Sequence, residues 1–304
     1  MENPSCLLYG AGDARFENRP RPVIEDAHDT LASAEAMYVH FWLHGGIKNH
    51  VSTTNPLVMG HEASDSHRAG LRPVPTCAQC KSGKYNLCPH MKFTASPPHT
   101  HGALSKFFKV PADCCYRISG AQLRERVRID EAVLIEPMDV AVHSVRQVGV
   151  KPSDRVVVFG AGTVGLLCAA VAGQFGASVI VSVDINKDKL DFAEDWMLPD
   201  RALFSTQLAR ELWTPEQIAA ELRKRLKSLR LEPDCWDLSE NEITAKGCFW
   251  YGAGDFKLAL EMVMVQKVDL RSLITKIVPF RDAVEAWEAT KRGEEIKTLI
   301  EVGL

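Results

Sequence analysis

With 304 residues, 46% hydrophobic and 25% charged, the chain has the balance of a soluble globular protein and the length for two domains. A net charge of −3 leaves no basic footprint for nucleic acid, and no apolar run is long enough to span a bilayer. The start, Met1-Glu2-Asn3-Pro4, lacks the basic and apolar regions of a secretory signal, and nine cysteines, an odd number, suit reduced thiols or metal ligands. The cytoplasm is therefore the expected compartment.

In chain order, Cys6 to Tyr9 and Pro22 to Ile24 read as short strands among glycines and prolines. Gly60-His61-Glu62 sets an imidazole beside a carboxylate. Cys77-x-x-Cys80 followed by Cys88 has the spacing of a zinc-holding lobe, with free loop thiols as the plainer alternative. Strands are predicted at Ala103 to Val110 and Cys114 to Ile118. Asp130 to Gln147 reads as a helix interrupted near Pro137, carrying Glu136 in an apolar setting.

The most informative stretch follows. Val156 to Phe159 is a β-branched run feeding the turn Gly160-Ala161-Gly162-Thr163-Val164-Gly165, then an apolar helix from Leu166 to Phe175 and a strand from Ser178 to Val183 that ends on Asp184. In this pattern Gly160 makes the tight turn, Gly162 lets a pyrophosphate approach the backbone, and Gly165 lets helix and strand pack closely. The helix N-terminus offers free N–H groups to the phosphates. Asp184 can accept both ribose hydroxyls and would repel a 2′-phosphate, so NAD is expected rather than NADP. Helices are then predicted at Lys187 to Trp196, from Thr214-Pro215, at Phe256 to Val265 and at Arg281 to Lys291, with Gly293 as a C-cap. Strands are predicted at Ile243 to Phe249 and Thr298 to Val302.

Taken together, the blocks Asn3 to Gly12, Val39 to Gly45, Met59 to Ser64, Gly83 to Pro89, Leu134 to Pro137, the nucleotide stretch and Leu273 to Phe280 resemble the polyol branch of the zinc-dependent medium-chain dehydrogenases. The resemblance implies an α/β protein with a GroES-like β-barrel catalytic domain over 1–150, completed by about 268–304, and a Rossmann NAD-binding domain over 151–267 whose second half is incomplete. It implies NAD and Zn2+ as cofactors and oxidation of a polyol to a ketose, xylitol to D-xylulose, with sorbitol or L-arabinitol as alternative substrates. A homo-oligomer, commonly a tetramer, and no nucleic-acid or membrane partner are implied as well.

Carried over residue by residue, His61 and Glu62 become catalytic-zinc ligands with Glu136 beside the metal, and Tyr251 falls on the substrate side. Gly160, Gly162, Thr163, Val164, Gly165, Asp184 and Lys189 become the cofactor site. Cys77, Cys80 and Cys88 become an incomplete structural-zinc site. The chain departs from the pattern in five respects. Glu35 stands where a zinc cysteine is expected, Val74 where the first structural cysteine is expected, and Trp250 where the family has arginine. Segments after Ser64 and between Leu229 and Tyr251 are short. An inactive copy that keeps at most nucleotide binding is the competing reading.

Overall fold

The computed structural model describes residues 2–24, 29–32, 51–63, 77–91, 94–95, 100–112, 115–116, 127–197, 203–207 and 246–302. Glu35, Val74, the helix expected from Thr214 and the shortened segment after Ser64 lie outside them.

β1 (Asn3–Gly10) turns through Gly12, at φ +72°, into β2 (Asp13–Arg19). The two pair antiparallel, with Asn3 opposite Arg19 and Leu7 opposite Arg15. After β3 (Asp29–Ala32), the short β4 (Leu57–Val58) pairs with Leu7 and Leu8 on the other side of β1, giving the order β2-β1-β4. The one-turn α1 (Ala78–Lys81) carries the cysteine lobe, and β5 (Phe108–Pro111) pairs antiparallel with β3. Residues Pro22 to Ile24 are not a strand, and Val23 and Ile24 are exposed. Of the strand expected from Ala103, only the end forms.

The helix expected over Asp130 to Gln147 is two: α2 (Ile129–Ala132) and α3 (Ile135–Val148). The break falls before Pro137, not at it. Pro137 occupies the third position of α3, where its missing N–H is one the helix could not have bonded anyway.

β6 (Arg155–Phe159), α4 (Thr163–Gln174), β7 (Val179–Asp184), α5 (Lys187–Trp196) and β8 (Leu203–Gln207) make a parallel sheet of order β6-β7-β8. Leu166, Leu167, Val171, Ile180 and Val181 are buried in this unit. Among the described residues β6 is an edge strand, and its Phe159 is 63% exposed. Lys246 to Phe249 are irregular where a strand was expected.

The chain returns through α6 (Asp255–Met264), β9 (Ile274–Pro279), α7 (Ala283–Arg292) and β10 (Lys297–Glu301). Gly293 closes α7 at φ +77°, as expected of a C-cap. β9 and β10 pair in parallel. Two compact units result, residues 1–142 with 250–304, and residues 143–249. The division thus falls at 142/143 and 249/250, where the sequence suggested 150/151 and 267/268. Residues 250–264 join the first unit because they bond to its cysteine lobe: Ala253 N–H donates to the Gly83 carbonyl (3.1 Å) and the Tyr85 hydroxyl to the Gly252 carbonyl (2.9 Å).

The core of the first unit mixes both ends of the chain. Leu8, Met59 and Leu104 pack in one buried cluster with Trp287 of α7 and Ile300 of β10. Trp287 is wholly buried, so Trp287→Ala is expected to cost about 3–5 kcal/mol. A urea titration should show this as a lowered midpoint.

Candidate active site

The loop Met59-Gly60-His61-Glu62 has no regular structure, yet it is tightly held. Gly102 N–H donates to the Val58 carbonyl (2.6 Å), Ala103 N–H to Gly60 (2.8 Å) and Leu104 N–H to Met59 (2.8 Å). A side chain at Gly102 would put Cβ 2.3 Å from the Met59 carbonyl oxygen, so only glycine allows this zipper. Gly60 itself sits at φ +92°. The loop therefore delivers His61 and Glu62 inward.

From the first turn of α3, Glu136 meets them. One ligand atom each from His61, Glu62 and Glu136 lies within 4.8 Å of the others, and His61 Nε2 is 3.9 Å from Glu136 Oε1. All three are buried, and among the described residues Glu136 Oε1 has no hydrogen-bond partner. Burial, reinforced by the Lys297 cation, pushes His61 down to about 3, so the ring is neutral, the form that binds a metal. Burial and the Glu62 carboxylate push Glu136 well above the usual carboxylate range, with Lys297 pulling the other way. An imidazole and carboxylates with an unsatisfied buried oxygen fit a divalent zinc-type ion.

Two residues at this site escaped the sequence reading. Lys297 of β10 is buried and its Nζ donates to Glu62 Oε2. A lysine opening an otherwise apolar terminal strand was the available signal. Asp139, one turn beyond Glu136 on α3, is wholly buried, and among the described residues neither of its oxygens has a partner. Burial, then Asp255 and Glu136, push it up to about 9.

Trp250 and Tyr251 complete the surroundings. The Trp250 ring meets His61 edge-on at 5.0 Å, on a backbone held at φ +53°. A bulky residue in that region stores about 1–3 kcal/mol of strain. Tyr251 is buried beside Tyr85 and Val140. Its hydroxyl is pushed well above its usual range by burial, then by Glu136 and Asp139.

The cysteine lobe gathers as its spacing suggests. Cys77 Sγ lies 3.6 Å from Cys80 Sγ and 3.8 Å from Cys88 Sγ. Tetrahedral thiolates around one zinc are spaced about 3.8 Å apart. Backbone N–H groups of Cys80 and His90 donate to Cys77 and Cys88 sulfurs, at 3.4 Å each. The Cys80 N–H is the main cause of a lowered Cys77 pKa. Among the described residues these three have no fourth ligand.

In the second unit, Gly160 turns at φ +101° and Gly165 lies so close beneath it that a Cβ would stand 1.8 Å from the Gly160 oxygen. A Cβ at Gly162, by contrast, would meet nothing within 4 Å, which is the open cradle a pyrophosphate needs. Thr163 and Val164 form the first turn of α4 above that cradle, and Val164 is exposed. Asp184 ends β7 at the loop. Its Oδ2 accepts from Ala161 N–H (2.7 Å) and its Oδ1 from Asn186 N–H (2.8 Å), leaving lone pairs on both for ribose hydroxyls. Lys189 lies half-buried in the first turn of α5.

Comparison with known proteins decides the family. Residues 137–224 match the family model described as Alanine dehydrogenase/PNT, C-terminal domain. A probable D-xylulose reductase A from Aspergillus clavatus is 36% identical, covering 98% of this chain and 96% of its own. The chain belongs to the D-xylulose reductase family. The galactitol-1-phosphate dehydrogenase of Escherichia coli superposes with a TM-score of 0.77 at 18% identity, over 98% of this chain and 99% of its own. The L-idonate 5-dehydrogenase of Escherichia coli gives 0.78 at 18%, over 99% and 98%. The fold is that of the medium-chain dehydrogenases, a GroES-like catalytic domain with a Rossmann domain. As a member of the D-xylulose reductase family the chain is an oxidoreductase. The alignment with the Aspergillus clavatus protein runs over 354 positions against the 304 residues here, so at least 50 of that relative's positions face gaps. Shortened internal segments, expected from the sequence, are thus a real feature of this member. No helix among the described residues is long and apolar enough to cross a membrane.

Asp139 gives a pH signature that needs no metal. Its ordinary value is 3.8 and its folded value about 9, so above pH 4 the unfolded chain releases a proton that the folded chain keeps. Its contribution to stability therefore falls as pH rises across that window. Asp139→Asn is expected to raise the melting temperature by several degrees at pH 8, with the gain shrinking towards pH 4, as thermal melts at the two pH values would show.

Proposed function

We propose that this chain oxidises a polyol to a ketose with NAD, xylitol to D-xylulose being the favoured pair. The observation that carries this reading is the buried convergence of His61, Glu62 and Glu136, in a chain whose relatives bear the name D-xylulose reductase. In this reading His61 and Glu62 hold the ion, Glu136 stands close to it, and Tyr251 borders the substrate. Bound zinc supplies a Lewis acid for the substrate hydroxyl. Neutral His61 presents a lone pair, and the hydroxyl proton would leave through a water or carboxylate relay beside Glu136. The substituents that exclude water are Trp250 and Tyr251, packed against this group.

The cofactor reading assigns Gly160, Gly162, Thr163, Val164 and Gly165 to the pyrophosphate, and Asp184 with Lys189 to the adenosine ribose. The Asp184 carboxylate favours NAD, because a 2′-phosphate would meet a negative charge at close range. Cys77, Cys80 and Cys88 are proposed to hold a second zinc. A homo-oligomer, a tetramer by family resemblance, and a cytoplasmic setting complete the reading. The free thiols among the described cysteines support that setting.

Two measurements test it. Xylitol-dependent NADH formation should appear with metal-loaded protein and fall at least about 100-fold in His61→Ala, since loss of a ligand removes the Lewis acid. Zinc content near zero with no xylitol turnover would favour the inactive-copy reading that the gaps in the alignment suggest. NAD should exceed NADP in kcat/KM by at least about tenfold, one charge contact being worth roughly 1.4 kcal/mol. Asp184→Ala should narrow that ratio, and faster turnover with NADP would overturn the role given to Asp184.

A further inference from the structure

The least expected group at the site is the Lys297 ammonium, and the backbone explains how it gets there. Residues Lys297 to Ile300 are buried in succession, although alternate residues of a strand normally face opposite ways. Lys297 pairs with Ile274 while Thr298 pairs with Lys276, so β9 carries one extra residue, Thr275, at this point. Such a bulge re-aims side chains. Thr275 also fixes it, because its hydroxyl accepts from Ile296 N–H (3.1 Å) and donates to the Lys297 carbonyl (3.3 Å). Lys297 is thus pinned by its main chain, only 5% exposed, and turned towards Glu62. It cannot swing out to solvent as a surface lysine would.

Glu62 has one oxygen already committed to this cation. A divalent ion drawn to His61 and Glu136 must share Glu62 with Lys297 or take it away, and a second positive charge at that range repels the first. We propose that Lys297 is a positioning residue that competes with the metal for Glu62, the ammonium and the ion sharing that one carboxylate. The seat is consequently weaker and more exchangeable than its donor set alone would give. This rests on the metal reading above.

Cobalt(II) titration of the apo-protein against a chromophoric chelator tests it, with the visible spectrum separating a nitrogen–oxygen site from the thiolate charge-transfer bands of the cysteine lobe. Lys297→Met is expected to tighten cobalt at the nitrogen–oxygen site by at least about tenfold, the scale on which groups next to ligands act. Lys297→Gln keeps a donor for Glu62 and is the safer variant for folding; it should tighten binding by a smaller factor. Lys297→Arg keeps the charge and should stay near wild type. In a Glu62→Gln background the gain from Lys297→Met should shrink to less than about threefold, since the competition is for that carboxylate. Binding by the Met and Gln variants no tighter than wild type, with the nitrogen–oxygen spectrum present, overturns the proposal alone. A gain that survives undiminished in the Glu62→Gln background overturns it too. A spectrum of thiolate type only, in wild type and every variant, removes the metal seat and the proposal with it.

Discussion

Charges are costly to bury, and this chain gathers buried ionisable groups at one point. His61, Glu62, Glu136 and Lys297 come from a loop, a helix and the last strand, and each is almost out of water. An isolated charge of this kind is tolerable only when it is paired, neutralised or bound to an ion. The Lys297–Glu62 pair settles one couple, the neutral imidazole removes a second charge, and among the described residues Glu136 is left with an oxygen that nothing satisfies. The rest of the first unit is arranged around that requirement. The zipper at Gly102 brings in His61 and Glu62, the break before α3 brings in Glu136, and the bulge at Thr275 brings in Lys297.

That pair also spans 235 positions of the chain. The catalytic unit cannot be completed by its N-terminal part alone, because the cation and much of the core, Trp287 included, arrive from the end. The nucleotide unit is the opposite case. Its defining contacts, Gly165 beneath Gly160 and Asp184 against Ala161, each join residues no more than 23 positions apart and need no distant partner.

This difference explains what could be read in advance. The glycine turn, the strand that ends on Asp184 and the helix after it are fixed by local sterics, and they appear where the spacing put them. The cysteine lobe is local as well, and its sulfurs gather. His61 and Glu62 could be named because they are adjacent, and Glu136 because an acid in an apolar helix is conspicuous. Lys297 was hidden because its meaning depends on a bulge in a strand that it joins only after folding. Asp139 was hidden because one acid more on the same helix looks like a solvated face until its burial is known. Pro137 signalled the interruption but not its exact place, since the second helix begins two residues before it.

Among the described residues β6 lies at the margin of the parallel sheet, and it shows the aromatic ring of Phe159 to water immediately before the phosphate turn. A residue there is free of packing constraints on one side but tied to the turn by its backbone. Drift at that position would therefore register in how the protein behaves in a crowded solution, its tendency to clump or to be held by chaperones, well before it registered in catalysis.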